Sequence, residues 1–179
     1  MKNIYIKKLS NKYPSKDITE DDLIYKLKII NSKIKRSIKV NNRININSKN
    51  LPIISGPNGL ESKKLLINTA KLLKKNKLNF IRTHAFKPLT FPYRSKTYDE
   101  SGLKGLKWVE EVKKDYPLVC IAEITEIRFL ESMLKSIDIL QIGSRNMQNL
   151  ELIKEVAKTK KPIILKRHFG ASLRDFLGA

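Results

Sequence analysis

From residue 51 onward, short apolar runs take turns with helix-length amphipathic segments, and this alternation restricts the fold more than any other feature of the chain. The runs are "LPIISGPN", "NFIRTHAF", "LVCIAEI", "IDILQIG" and "KPIILKRH". Between them lie "LESKKLLINTAKLLKKN", "SGLKGLKWVEEVKKDY", "EIRFLESMLKS" and "NLELIKEVAKTK", in which Leu, Ile, Val and Trp recur at steps of three and four. Continuous apolar runs of this length read as strands buried on both faces. Parallel neighbours need a crossover, and a helix between each pair of strands supplies it. Five strands and four helices therefore specify an α/β fold, with a (β/α) barrel preferred over a doubly wound open sheet.

Residues 1–50 are different in kind. They carry 13 basic residues against 4 acidic ones and show one helical pattern, "ITEDDLIYKLKIINSKIKRSIKV". Leu23, Leu27, Ile30, Ile34 and Ile38 fall at helical spacing, Thr19 can cap the start, and acids occupy the first turn. The stretch "NNRININ" then alternates through Ile44 and Ile46, as a short edge strand would. The expected organisation is a basic N-terminal extension over 1–50 and a partial barrel over 51–179.

At 179 residues the chain suffices for one ordinary domain, or a small domain with an appendage. Hydrophobic residues make up 41% of it, and no apolar run approaches the ~18 residues of a membrane helix, so it reads as soluble and without a membrane partner. The opening "MKNIYIKKLSNKYPSK" lacks the apolar stretch and cleavage site of a secretory signal, and a cytoplasmic location is expected. One cysteine, Cys120, lies inside "LVCIAEI"; it reads as a small core residue in a reducing compartment. A net charge of +20 ordinarily points to a polyanionic partner. Its make-up, 29 Lys and 8 Arg beside 23 Ile and 14 Asn, is that of A/T-rich codons, which accounts for the excess without nucleic acid.

In a parallel α/β architecture the C-terminal ends of the strands build the site. Those ends carry Asn58, then Arg82 and Lys87, then Glu123, Arg145, and finally Lys166 with Arg167 and His168. Cations close three of the runs, and unpaired cations are costly to bury, so an anion is expected to meet them. Lysines can snorkel to solvent, whereas the scarce Arg82 and Arg145 present planar forks suited to phosphate or carboxylate. A small phosphorylated substrate at the mouth of a barrel follows. His84 and His168 lie in no metal-ligand spacing and read as structural or supporting groups. The segment "GPNGLES" reads as a turn and helix start whose backbone N–H groups can help hold an anion.

Taken in order, "ISGPNGLES", "FIRTHAFKPLTFPY", "GLKGLKWVEEV" and "DILQIGSRNMQNLELIKEVAKTKKPIILKRHFGASLRDFL" resemble 3-deoxy-D-arabino-heptulosonate 7-phosphate (DAHP) synthase. The resemblance is to the shorter bacterial type that often carries an N-terminal chorismate mutase or regulatory domain. It spans about residues 51–179, and "QIGSRNMQN" followed by "KKPIILKR" is its most specific part. It implies the first five strands of a (β/α)8 TIM-type barrel, incomplete here, behind a short N-terminal helical extension. The implied reaction condenses phosphoenolpyruvate with erythrose 4-phosphate, the first step of the shikimate route to chorismate and the aromatic amino acids. By position, Arg82, Lys87, Arg145 and Lys166 match residues that grip phosphoenolpyruvate. Thr90 matches a contact to erythrose 4-phosphate and Glu123 an acid of the active-site wall, with Lys87 and Glu123 the catalytic pair. The resemblance also implies a divalent metal such as Mn or Fe that polarises the aldehyde carbonyl.

The chain departs from the family pattern at three places. Asn58 stands where relatives have a metal-binding Cys, and a neutral oxygen donor holds a thiophilic metal more weakly. The family's "KPRTSPY" is "KPLTFPY" here, so Leu89 replaces a phosphate-binding Arg and Phe91 a small Ser. The match ends at Ala179, whereas a whole barrel takes roughly 200 to 250 residues. The family's remaining ligands, a His, a Glu and an Asp, and one further Arg fall outside it. Open edges are expected on the first and last strands, to be met by a homo-oligomer or by a chain supplying the other half of the barrel. Three other readings stay open: a catalytically silent fragment, a 3-deoxy-octulosonate 8-phosphate synthase relative, and a basic nucleic-acid-binding protein.

Overall fold

The computed structural model describes residues 37–47, 49, 52–87 and 100–179. Five strands, β3 (Ile54–Ser55), β4 (Phe80–Arg82), β5 (Val119–Ile124), β6 (Ile139–Ile142) and β7 (Ile163–Leu165), form one parallel sheet whose spatial order is the order of the sequence. A doubly wound sheet reverses its order partway across. No reversal occurs among these strands, so the winding is that of a barrel, and the sheet is unclosed with β3 and β7 at its edges.

Each crossover carries a helix because its apolar residues fall on one stripe. In α1 (Lys63–Lys75) the stripe is Leu66, Ala70 and Leu73; the Ser62 hydroxyl caps the start by accepting the Leu65 N–H. In α2 (Gly102–Asp115) it is Leu106, Val109 and Val112. A 3-10 turn, Ile127–Phe129, leads into the short α3 (Leu130–Leu134), which buries Met133. A second turn, Ser144–Asn146, precedes α4 (Leu150–Lys158), which buries Leu152 and Val156 beneath an Asn149 cap. Beyond β7 comes a helix the periodicity did not announce, α5 (Leu173–Gly178), started by a reciprocal box in which Ser172 and Asp175 cap each other.

The two faces of the sheet have different covers. Ile81, Cys120, Ala122, Ile124, Leu140 and Ile142 face the helices and join their stripes in the main core. Each of the Ile and Leu side chains among them contributes on the order of 1.5 to 3 kcal/mol by leaving water. On the other face Phe80, Val119, Ile121 and Ile139 meet, among the described residues, no helix but the hairpin over residues 37–47, through Val40, Ile44 and Ile46. That hairpin pairs β1 (Ser37–Lys39) with β2 (Asn45–Asn47) in antiparallel register.

Three expectations need correcting here. The helical stripe drawn through Ile38 does not reach that far, because Ser37–Lys39 is strand; its remainder lies outside the described residues. Asn41 causes the break: its Oδ1 accepts the N–H groups of Arg43 and Ile44, both at 2.9 Å, closing a turn that returns the chain. Nor are all five strands buried on both faces, since Ile54 and Ser55 of β3 are exposed and so is Ile163 of β7. Finally, β7 is not the last element, because α5 follows it.

The N-terminal ends of the strands are tied by charge. Asp138, just before β6, accepts the Cys120 main-chain N–H at 2.7 Å and the Lys113 ammonium at 2.8 Å. Lys113 also donates to the Ser136 carbonyl. Lys161 donates to the carbonyls of Leu134 and Ile137 after α3, where cations favour the helix end. Burial lowers the Lys161 pKa, with Asp138 opposing that shift. Cys120 is sealed here, its thiol pushed up to about 12 by burial. It is the inert core residue its setting in the sequence suggested.

Candidate functional site at the C-terminal strand ends

At the opposite end of the sheet the second face turns polar. Side chains alternate faces along a strand, so Arg82, Glu123 and Gln141 lie on the face that Phe80, Val119 and Ile139 begin. Register sets Glu123 beside Gln141 and Arg82 beside Ile121. Lys166, one residue past β7, has its main-chain N–H on the Ile142 carbonyl at 3.0 Å, which carries the ladder to the same level.

Glu123 is the centre of this group. Its Oε2 accepts from Lys87 Nζ and from Gln141 Nε2, each at 3.2 Å. The ion pair is largely withdrawn from water, with side-chain exposures of 16% for Lys87 and 5% for Glu123, so it is not a solvated surface pair. Gly143 makes room for the carboxylate. A Cβ there would lie 2.8 Å from Glu123 Cδ and closer still to Oε1, so no larger residue fits without moving the acid.

Arg82 is steered from the first loop. Its Nε donates to the Pro57 carbonyl at 3.0 Å. Gly56 lets that loop approach, with φ of +135° and no room for a Cβ against the Arg82 carbonyl at 2.8 Å. A carbonyl orients Arg82, and the Leu60 N–H is committed to the His84 carbonyl at 2.9 Å.

His84 is buried, and its Nδ1 accepts the main-chain N–H of Glu123 at 2.9 Å. Thr83 continues the parallel ladder by donating to the Ile121 carbonyl. In regular parallel pairing the next rung would run from the Glu123 N–H to the Thr83 carbonyl; the imidazole occupies it instead. The ring is held well below the usual histidine range, pushed down to about 3 by burial first and then by the charges of Lys87, Arg82 and Lys166.

The site residues named from sequence are thus distributed unevenly. Arg82, Lys87, Glu123 and Lys166 come together, and Lys166 is exposed. Arg145 sits exposed in the turn after β6. Asn58 is exposed in the first loop. Thr90, with Leu89 and Phe91, lies outside the described residues. His168 is supported locally, its N–H on Met147 Sδ and its Nδ1 accepting from Gly170. Gln141 and the bond from His84 were missed. The signal for Gln141 was a polar residue within the strand part of "IDILQIG", two positions from Ile139 and so on the same face. Among the described residues no three His, Cys, Asp or Glu side chains gather as metal ligands. Asn58 alone does not make a metal centre, so no step is derived through one.

A protein-family model described as the DAHP synthetase I family matches residues 32–179. A phospho-2-dehydro-3-deoxyheptonate aldolase of Thermotoga maritima is 34% identical over 125 residues, covering 70% of this chain and 36% of the relative. A 2-dehydro-3-deoxyphosphooctonate aldolase of Francisella tularensis is 29% identical over 128 residues, covering 68% of this chain and 46% of the relative. The crystal structure of the Thermotoga maritima DAHP synthase superposes with a TM-score of 0.72 at 30% identity, covering 80% of this chain and 41% of that one. A truncated form of the same enzyme gives 0.66 at 27% identity, covering 79% and 49%. The chain therefore spans between about a third and a half of the length of the relatives it matches. With the strand order, the motifs and the match over residues 32–179 in agreement, this chain belongs to the DAHP synthetase I family.

Proposed function

We propose that this chain forms the phosphoenolpyruvate side of a DAHP synthase site. One observation carries the reading: the cluster at the strand ends is electropositive. Arg82, Lys87 and Lys166 all act on His84, while the one buried carboxylate among the described residues, Glu123, is already shared by Lys87 and Gln141. A compact polyanion with a carboxylate and a phosphate, as phosphoenolpyruvate is, matches that surplus. In this reading Arg82, oriented by Pro57, and Lys166 take the charged ends of the ligand from two sides. Arg145 closes over it from the turn after β6. Lys87 touches the ligand while Glu123 fixes its ammonium.

Condensation with an aldose phosphate is proposed for the assembled site. A His, a Glu, an Asp and a further Arg would come from another segment or a second chain, paired onto the open edges of β3 or β7. The group to be held there is a divalent metal, whose chemistry is to polarise the aldehyde carbonyl. A cytoplasmic, homo-oligomeric enzyme belongs to the same proposal. What supports it is the family and the lack, among the described residues, of any helix long and apolar enough to cross a membrane.

Calorimetric titration of the full chain with phosphoenolpyruvate tests the anion site. Saturable binding is expected, weakened roughly tenfold or more by Arg145→Ala or Lys166→Ala, the loss of one charge-assisted hydrogen bond. Binding unchanged by both substitutions would sink the assignment. A second reading, the octulosonate branch, is favoured by two curated relatives named 2-dehydro-3-deoxyphosphooctonate aldolase, at 29% and 30% identity. Phosphoenolpyruvate contributes three carbons, so a seven-carbon product needs a four-carbon aldose phosphate and an eight-carbon product a five-carbon one. Which sugar phosphate the assembled enzyme consumes separates them.

A further inference from the structure

His84 lies two residues past Arg82, is 1% exposed, and uses its two ring nitrogens unequally. Nδ1 accepts the Glu123 N–H, so it carries no proton, and the single proton of the neutral imidazole must sit on Nε2. That Nε2–H is buried and has no hydrogen-bond partner among the described residues. A buried donor without an acceptor is destabilising, and native proteins rarely keep one without a use. The electrostatic field at the ring names the missing acceptor by its sign. The ring holds the main chain of Glu123, whose carboxylate is paired to Lys87, and Arg82 lies two residues before it, so the ring sits beside cations and what belongs beside Nε2 is negative.

We infer that His84 is a ligand-binding residue of this site, its Nε2–H donating to an oxygen of the anion that Arg82, Lys87 and Lys166 hold. The inference rests on the anion site proposed above and adds a neutral donor to its three cations. The same ring braces Glu123 from behind through Nδ1, so ligand contact and the position of the Lys87–Glu123 pair are joined through one rigid side chain. A neutral imidazole suits the role: a fourth cation would repel the other three, whereas Nε2–H supplies direction without charge.

Substitution can separate the two nitrogens. Asn in place of His puts an acceptor oxygen near the position of Nδ1 and leaves nothing at Nε2. Gln puts an amide nitrogen near Nε2 and gives up the acceptor. In the full chain, long-range 1H–15N spectra should place the imidazole proton on Nε2, and saturating phosphoenolpyruvate should shift the Nε2 resonance while leaving Nδ1 in place. By calorimetry, His84→Asn should bind phosphoenolpyruvate roughly ten- to a hundredfold more weakly, with His84→Gln retaining more of the affinity. An Nε2 resonance unmoved at saturation, or His84→Asn binding as tightly as the unsubstituted chain, overturns the role of His84 while the anion site stands. A chain that binds no phosphoenolpyruvate overturns both. If His84→Asn does not fold, the Nε2 shift of the unsubstituted chain decides alone.

Discussion

The two ends of the sheet handle charge in opposite ways. At the N-terminal ends Lys113 and Lys161 are matched to Asp138 and to the carbonyls around the end of α3, so the cations there close the structure. At the C-terminal ends Lys87 alone of the three cations is paired to the buried Glu123, Arg82 leans on a main-chain carbonyl, and a buried donor on His84 lacks an acceptor among the described residues. The same side-chain types thus do two jobs, and the count of oxygens supplied by the protein tells them apart. A cation whose partners are in the fold stabilises the fold, and one whose partners are deficient awaits a ligand.

The largest effect that separates the ends is a dependence on acid. His84 is held at about 3 in the folded chain against an ordinary 6.5, with Lys87, Arg82, Lys166 and the carboxylate of Glu123 facing it. A lowered folded pKa leaves stability untouched above about 6.5. Below that value the unfolded chain takes up a proton that the folded chain refuses. Stability should then fall by roughly 1.4 kcal/mol per pH unit until about pH 3, which is about 3 kcal/mol lost by pH 4. Urea unfolding at pH 7, 5.5 and 4 measures it, and His84→Asn, which cannot titrate, should flatten that part of the acid limb. An identical slope in both chains would mean that other carboxylates set the acid limit.

At the other end the expected loss is of similar kind but independent of ligand. Asp138→Ala removes the acceptor of both the Cys120 N–H and Lys113, leaving a half-buried ammonium and a main-chain donor short of a partner. A destabilisation of about 2 to 3 kcal/mol is expected at pH 7. Phosphoenolpyruvate should restore none of it beyond what it adds to the unsubstituted chain, because the pair lies at the far end of the strands. Denaturant midpoints with and without ligand check this. An affinity that falls along with stability would break the division between the ends.

Much of this division was legible in the sequence, because it follows from period and position. The five runs and four amphipathic segments placed strands and helices within a few residues of where they lie, and a cation at a strand end needs only the strand to be found. What was not legible depends on partners distant in sequence. The main chain of Glu123 meets His84 across 39 positions, and Gln141 meets Glu123 across 18. His84 therefore looked like an isolated core histidine, although its two nitrogens have different tasks. The helix read through Ile38 failed for a local reason, since Asn41 turns the chain with its own side chain and hands the apolar residues to a hairpin. Ser172 and Asp175 form a helix start that no apolar period flagged, because α5 is short and buries none of its residues.

The smallest stability effect is also the most specific to the site. Gly143→Ala would put a methyl group inside the space of the Glu123 carboxylate, so the acid must swing away from Lys87 and Gln141 or the turn after β6 must shift. Overpacking of one methyl at a site with a mobile carboxylate is expected to cost about 1 to 2 kcal/mol. The effect on the site should exceed the effect on the fold: Lys87 loses its fixed partner, and the turn that carries Arg145 moves with Gly143. Weaker phosphoenolpyruvate binding in Gly143→Ala, at a stability nearer the parent chain than that of Asp138→Ala, would place Glu123 in the service of the ligand. If the glycine substitution lowered stability alone and left affinity intact, Glu123 would belong with Asp138, as a group that closes the structure, and the contrast between the two ends would rest on the cations and His84 only.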